Sequence, residues 1–161
     1  NGNALFNSDG SGNVTLSAGA MKNTPAFNAY LQTASQSIAD ETHTVIQYNA
    51  TTLDTNSKFD TSTYRFTPTI AGEYFIYASG LMNGAAQMEI HIRKNGTRVL
   101  TNRRREASNA QNECLYVGGV VDANTTDYFD VTFYQNSNGS INLAGNDIFK
   151  TFFGGYKLIG A

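Results

Sequence analysis

Short stretches in which apolar and polar residues alternate are the feature that most constrains how this chain folds. Residues 88–93 read Met-Glu-Ile-His-Ile-Arg, and residues 73–78 and 114–121 carry similar short runs. A period of two places alternate side chains on opposite faces of a β-strand. No stretch of a dozen residues keeps its apolar positions at the helical period, so the pattern predicts an all-β protein.

Turn signals divide these stretches into hairpins. Asn95-Gly96 stands between residues 88–93 and 97–101, and this dipeptide supplies the two positive φ angles of a type I′ turn. Asn138-Gly139 predicts a second hairpin between residues 131–134 and 141–143. We predict strands around residues 45–48, 64–66, 73–78, 88–93, 97–101, 114–121, 128–134 and 151–159. Short, regularly spaced strands favour a sandwich, a jelly roll or a small barrel, and periodicity alone leaves all three open.

The 161 residues are enough for one domain but too few for two independent cores. Residues 1–24 differ in texture from the rest, and we interpret them as a lead-in segment that links an upstream part to a domain spanning residues 25–161. The first residue is Asn1 rather than Met, which favours a processed or excised piece of a longer protein.

Charge and cysteine content exclude several classes of protein. The net charge of -2 leaves no excess of cations for a nucleic acid or an anionic membrane surface, and no apolar run approaches the length of a membrane span. We therefore predict no nucleic-acid partner and no membrane insertion. Cys114 is the single cysteine and has no partner for an internal disulfide. Its place beside Leu115 in a strand-like run predicts a buried, inert thiol.

Three phrases resemble a known superfamily. In residues 66–76, Phe-Thr-Pro-Thr-Ile-Ala-Gly-Glu-Tyr-Phe-Ile, a Phe precedes a turn Gly by six positions, as in the globular head of complement 1q. Residues 116–120, Tyr-Val-Gly-Gly-Val, resemble a strand of tumour necrosis factor domains. Residues 151–159 are similar to the closing strand of both groups. The matches follow the family's order from about Pro25 to the end of the chain.

The resemblance implies an antiparallel jelly-roll sandwich of two sheets that assembles through one sheet into a homotrimer. By their positions in the matching phrases, Tyr116 and Phe152 would face the threefold axis, with Gly118 and Gly119 completing the trimer interface. The alternative is that both aromatic rings fill the core of a single chain. Gly155 departs from the pattern because relatives carry a larger residue there, which puts the packing of that layer in doubt.

A second resemblance, in composition and short phrases, is to bacteriophage appendage proteins such as tail-fibre tips and head decorations. It rests on the Asp9-Gly-Ser-Gly-Asn13 turn, the Asn- and Thr-rich domain and the ending Gly-Tyr-Lys-Leu-Ile-Gly. It implies a structural module of the virion whose partners are other virion proteins or a glycan or protein on the host cell surface. The alternative is a secreted, complement-like recognition domain that binds a protein or a carbohydrate.

Catalytic chemistry has little basis in the sequence. His43 and His91 have no paired-ligand spacing, and no nucleophile elbow or phosphate loop is present. We predict no enzyme activity, no catalytic residues, no cofactor and no metal, and an exposed position for His91. Family relatives sometimes bind calcium, and the oxygen donors for that alternative would be Asp122, Asp127, Asp130 and Asp147.

One basic cluster remains as a candidate ligand-binding site. Arg103, Arg104 and Arg105 follow the first predicted hairpin directly. Guanidinium groups bind carboxylates and phosphates in a bidentate manner, so the cluster is suited to an anionic sugar or phosphate on a cell surface. The alternative is an ordinary charged loop in contact with solvent.

Overall fold

A computed structural model describes residues 6–8, 10–11, 14–16, 25–82, 87–105 and 113–158, and within these ranges every regular element is a strand. The all-β prediction is confirmed. No helix in the described ranges is long and apolar enough to cross a membrane. The strands are β1 Phe6–Ser8, β2 Val14–Leu16, β3 Ala26–Tyr30, β4 Ser35–Ile38, β5 Thr44–Val45, β6 Ala50–Asp54, β7 Phe59–Asp60, β8 Arg65–Phe66, β9 Gly72–Met82, β10 Gln87–Lys94, β11 Thr97–Arg105, β12 Glu113–Ala123, β13 Phe129–Asn136, β14 Ile141–Ala144 and β15 Phe152–Lys157.

Two antiparallel sheets form the body of the domain. The six-stranded sheet has the order β11-β10-β13-β8-β7, and β5 also pairs with β13. The seven-stranded sheet has the order β4-β14-β9-β15-β3-β6, and β12 pairs with β9 over the full length of both strands. Each sheet turns one face toward the other, so the apolar half of each alternating strand is buried between them.

The lead-in contains a small hairpin of its own, in which β1 pairs with β2 from Phe6 opposite Leu16 to Ser8 opposite Val14. Asp9 and Asn13 of the predicted turn lie outside the described residues, as do residues 1–5 and 17–24. The boundary at residue 24 stays a prediction.

Aromatic rings fill the space between the sheets. Phe27 stacks on Phe66 with 4.1 Å between ring centroids and meets Phe153 edge-on at 4.9 Å. The layer at Gly155, where the sequence left packing in doubt, is filled by neighbours. A Cβ at Gly155 would lie 3.2 Å from the ring of Phe27 and 3.0 Å from the Phe75 carbonyl oxygen, so the bulk missing at this position is supplied by Phe27.

The first predicted hairpin is confirmed. Lys94 pairs with Thr97, and Asn95 and Gly96 between them have φ angles of 52° and 80°. The Asn95 side chain holds the turn against the next segment, because its Nδ2 donates to Asp127 Oδ1 at 2.7 Å and its Oδ1 accepts from the Tyr128 backbone N–H at 2.9 Å.

The second predicted hairpin is wrong, because β13 and β14 belong to different sheets. Leu143 is fully buried and pairs with Met82 of β9 in the seven-stranded sheet. The chain crosses between the layers near Asn138, whose φ is 61°. Gln135 fastens this crossover, since its Nε2 donates to the carbonyl oxygens of Gly139 at 2.8 Å and Ile38 at 3.1 Å. Asn-Gly therefore marks the bend but does not decide which sheet the chain enters.

Two further predictions about burial are wrong. Cys114 is exposed, because Leu115 and Val117 are the residues of β12 that face the core. His91 does point away from the core, but it is only 1% exposed. The ring of His43 lies 4.9 Å from it and covers that side of β10.

Candidate interaction surface

Three adjacent strands of the seven-stranded sheet, β12, β9 and β15, place aromatic side chains on the outward side of the sandwich. Their inward neighbours, such as Tyr74, Ile76 and Phe153, are fully buried. Strand alternation then turns the intervening residues outward. We call this surface the aromatic face; its members are Phe75, Tyr77, Tyr116, Phe152 and Tyr156.

The rings of the aromatic face contact one another in a continuous row. Phe75 lies 5.8 Å from Tyr156 and 6.1 Å from Tyr77, measured between ring centroids. Tyr77 meets Phe152 edge-on at 6.0 Å and stacks with Tyr116 at 6.5 Å. Separations of this size are the usual range for favourable aromatic pairs.

Two glycines make room for the rings. A Cβ at Gly154 would lie 2.5 Å from the phenol carbon and oxygen of Tyr77, and a Cβ at Gly118 would lie 3.1 Å from the hydroxyl of Tyr116. Each tyrosine ring therefore lies flat over a glycine of its own or the neighbouring strand. The edge of β12 is also tied to the other sheet, because Asn102 Nδ2 donates to the Tyr116 carbonyl oxygen at 2.7 Å.

The aromatic face is only partly covered within one chain. Tyr116 is 49% exposed and Val120, two positions beyond Gly118 on the same side of β12, is 53% exposed. Burial raises the pKa of Tyr77, and the neighbouring Tyr116 and Tyr156 raise it further. Burial, and then Tyr156, raise the pKa of Tyr116 as well. Tyr77 and Tyr116 are therefore neutral at physiological pH.

The four residues predicted for a trimer interface divide between the two sides of β12 and β15. Tyr116, Gly118 and Phe152 lie on the aromatic face, and neither ring is in the core. The alternative that both rings fill the core is wrong. Gly119 faces the other sheet, where a Cβ would lie 2.8 Å from Leu100 Cδ2. The sequence analysis missed Tyr156, although its spacing of four from Phe152 gives it the same orientation.

The basic cluster lies in β11 rather than in a loop. Arg103 Nε is 3.0 Å from Glu89 Oε1, and Arg105 Nε donates to Gln87 Oε1 at 3.0 Å, so both lie on the outward side of the six-stranded sheet. Arg104 pairs instead with Glu113 of β12. The three guanidinium groups therefore do not converge on one point.

The four aspartates considered as calcium ligands are each engaged locally. Asp130 binds Arg93, Asp122 and Asp127 bind Lys94, and Asp147 accepts from the backbone N–H of Phe149. In the part of the chain that the structure describes, no three His, Cys, Asp or Glu side chains cluster closely enough to hold a metal ion. The absence of a bound metal remains a prediction.

Comparison with known proteins identifies the fold. No family model and no curated protein sequence matches the chain. Among solved structures, Eiger TNF from S. frugiperda matches with a TM-score of 0.65 and 11% identity over 84% of this chain and 93% of that one. Murine APRIL matches with a TM-score of 0.64 and 16% identity over 83% of this chain and 98% of that one. The globular domain of zebrafish complement 1qA matches with a TM-score of 0.58 and 15% identity over 84% of this chain and 98% of that one. The chain therefore has the jelly-roll fold of tumour necrosis factor and complement 1q domains.

Proposed function

We propose that the chain is a non-enzymatic recognition module that functions as a homotrimer, with the aromatic face at the threefold axis. The observation that carries the proposal is the contiguous row of rings, together with Val120, on the outside of an otherwise complete sandwich. Contiguous apolar patches on a soluble domain usually mark interfaces. The fold agrees, since the resemblance to tumour necrosis factor and complement 1q domains implies assembly through this sheet.

The energetics favour assembly. Burial of a large apolar side chain is worth roughly 1.5 to 3 kcal/mol before the entropy of association is subtracted. Three copies of Tyr116, Phe152 and Val120 would meet around one axis and contribute that energy three times. Since the Tyr116 phenol is neutral, its ring adds no charge to the interface. Gly119 faces Leu100, so in this proposal it supports β12 from inside and does not touch a partner.

We place this module on a phage appendage, as a tail-fibre tip or a particle decoration. The lead-in turn and the Asn- and Thr-rich composition support this setting. A secreted recognition domain is the second candidate, and the fold shared with the zebrafish complement 1qA domain favours it. In either setting Arg103, Arg104 and Arg105 are the candidate contacts to an anionic surface ligand, since all three are exposed.

Sedimentation velocity of Tyr116→Asp tests the trimer. Three carboxylates would meet in a dry contact, where like charges and lost hydration both oppose assembly. We expect the variant to sediment as a single folded chain. Ile70→Asp is the matched control, because Ile70 is 46% exposed and lies in a loop off the aromatic face. It should sediment like the wild type. An assembled Tyr116→Asp would remove Tyr116 from the interface.

A further inference from the structure

A cavity of about 240 Å³ lies on the outward side of the six-stranded sheet, away from the aromatic face. It is formed where β10, β11 and β13 run side by side and the segment before β5 folds over them. Its lining consists of His43, His91, Arg93, Gly96, Arg98 and Thr132.

Two arginines give the cavity its charge. Arg93 is held in place by Asp130, which accepts from its Nε at 2.7 Å and from its Nη2 at 2.8 Å. Neither of these bonds uses Nη1, whose two N–H groups have no acceptor among the described residues. Arg98 is exposed and makes no hydrogen bond or ion pair with any described residue.

The carboxylates nearest to the cavity are already neutralised. Asp130 is 1% exposed and also lies 3.7 Å from Arg65, and Glu89 pairs with Arg103. Neither carboxylate is part of the lining. A ligand in the cavity therefore meets two guanidinium groups, and no carboxylate is part of the lining.

The inner wall has one buried polar group that lacks a partner. His91 and Thr132 are each 1% exposed. His91 is held on both sides, because its Nδ1 is bonded to Thr101 Oγ1 at 2.7 Å and its Nε2 lies 3.1 Å from Glu89 Oε2. The Thr132 hydroxyl has no hydrogen-bond partner among the described residues. Buried polar groups are nearly always paired, so such an exception often marks a place where water or a ligand binds.

We propose that this cavity binds a small ligand that carries an oxyanion, of the size of one sugar acid or sugar phosphate. Guanidinium groups hold carboxylates and phosphates through paired N–H donors, and Arg93 is preorganised for this by Asp130. Pockets for drug-sized ligands measure about 300 to 1,000 Å³, so this smaller cavity suits a monosaccharide. All of the lining belongs to one chain, and the site is independent of the proposed trimer.

Titrations with glucuronate, glucose 6-phosphate and neutral glucose, followed by saturation-transfer NMR, test the site. We expect saturable binding of at least one charged sugar at up to about 10 mM, and none of glucose. The charged sugar that binds tells whether the carboxylate or the phosphate is preferred. Saturation by glucose to the same degree, or by neither charged sugar, would overturn the proposal.

Arg98→Gln and Lys58→Gln are the matched variants, because each replaces an exposed cation and only Arg98 lines the cavity. Loss of a charge-assisted hydrogen bond should weaken binding about tenfold in Arg98→Gln. Lys58→Gln should bind within about twofold of the wild type. Equal binding by the two variants would place the ligand elsewhere on the protein.

Discussion

The two outward sides of the sandwich differ in how far their side chains are satisfied within one chain. On the six-stranded sheet the buried carboxylates of Asp130 and Glu89 bind Arg93 and Arg103, so both carboxylates have a partner within the chain. On the seven-stranded sheet the aromatic face leaves Tyr116 and Val120 about half exposed. The first side therefore stabilises the folded chain, and the second is available for assembly.

The largest effect on the stability of one chain should come from Asp130→Asn. Its carboxylate is 1% exposed and is shared by Arg93 and Arg65, which are 26% and 42% exposed. Removal of one partner of a buried ion pair costs about 3 to 5 kcal/mol, and we expect about 3 because both arginines reach water. Asp122→Asn is the control, since Asp122 is 84% exposed in its pair with Lys94 and should cost less than about 1 kcal/mol.

Urea unfolding of the two aspartate variants measures the difference in their free energies of unfolding. The mass of the assembled protein in solution should be the same for both variants and the wild type. If Asp130→Asn is no less stable than Asp122→Asn, the ion pairs on the outward side of the six-stranded sheet do not stabilise the chain. If Asp130→Asn dissociates the assembly, the two sides are not separate in function.

His91, on the outward side of the six-stranded sheet, should make the stability of the fold sensitive to acid. Burial, and then the charges of Arg98 and His43, lower its pKa from 6.5 to about 4, against the opposing effect of Glu89. Between these values the unfolded chain takes up a proton that the folded chain does not, so stability falls as the pH is lowered from about 6.5 to about 4. The difference between the two pKa values limits the loss in the free energy of unfolding to about 3 kcal/mol, and we expect a loss of roughly 2 kcal/mol.

Unfolding measured across this pH range in the wild type and in His91→Gln isolates the contribution. The variant should lose less stability on acidification than the wild type. Parallel pH profiles for the wild type and His91→Gln would show that the pKa of His91 is the same in the folded and unfolded chains, which would contradict the account.

Gly154→Ala perturbs the aromatic face from below. The added methyl group would lie 2.5 Å from the Tyr77 ring, so the ring must move and its contacts with Phe152 and Tyr116 must change. We expect a loss of about 1 to 2 kcal/mol and weaker assembly. Gly139→Ala has no atom within 4 Å of the added group and should change stability by less than about 0.5 kcal/mol. Indistinguishable melting curves for the two variants would contradict the close packing of Tyr77.

The smallest effect on stability should come from replacing Arg104 and Arg105 together with Ala. Both side chains are exposed, and exposed ion pairs contribute about 0 to 1 kcal/mol each. Arg103 is left in place because its partner Glu89 is only 11% exposed and would lose its ion pair. Adsorption to cells should nevertheless fall, and wild-type adsorption should weaken as salt is added. If the variant and the wild type adsorb to cells equally at low salt, these arginines have only a structural role on β11.

The sequence predicts local features well where a turn or a strand period decides them. Asn95-Gly96 defines its hairpin, and the phrases around Tyr116 and Phe152 place both rings outside the core. The strand period also predicts that Cys114 is exposed, because a residue two positions before an outward Tyr116 must also face outward. The prediction of a buried thiol used the hydrophobic character of cysteine and ignored that spacing.

Other features depend on contacts between distant segments, which no local pattern contains. His91 alternates as an exposed residue should, yet His43 from another segment covers it. The strand at Ile141 follows a turn signal but enters the opposite sheet because Leu143 is buried beside Met82. The cavity between Arg93, Arg98 and Thr132 exists only once three strands are side by side.

The mass of the wild-type protein in solution tests the central claim most directly. If the aromatic face joins three copies, light scattering at micromolar concentration will give about 52 kDa, three times the chain mass of 17.5 kDa. Dilution within the micromolar range should leave that value unchanged. A mass of 17.5 kDa under the same conditions would contradict the trimer and the role of the aromatic face.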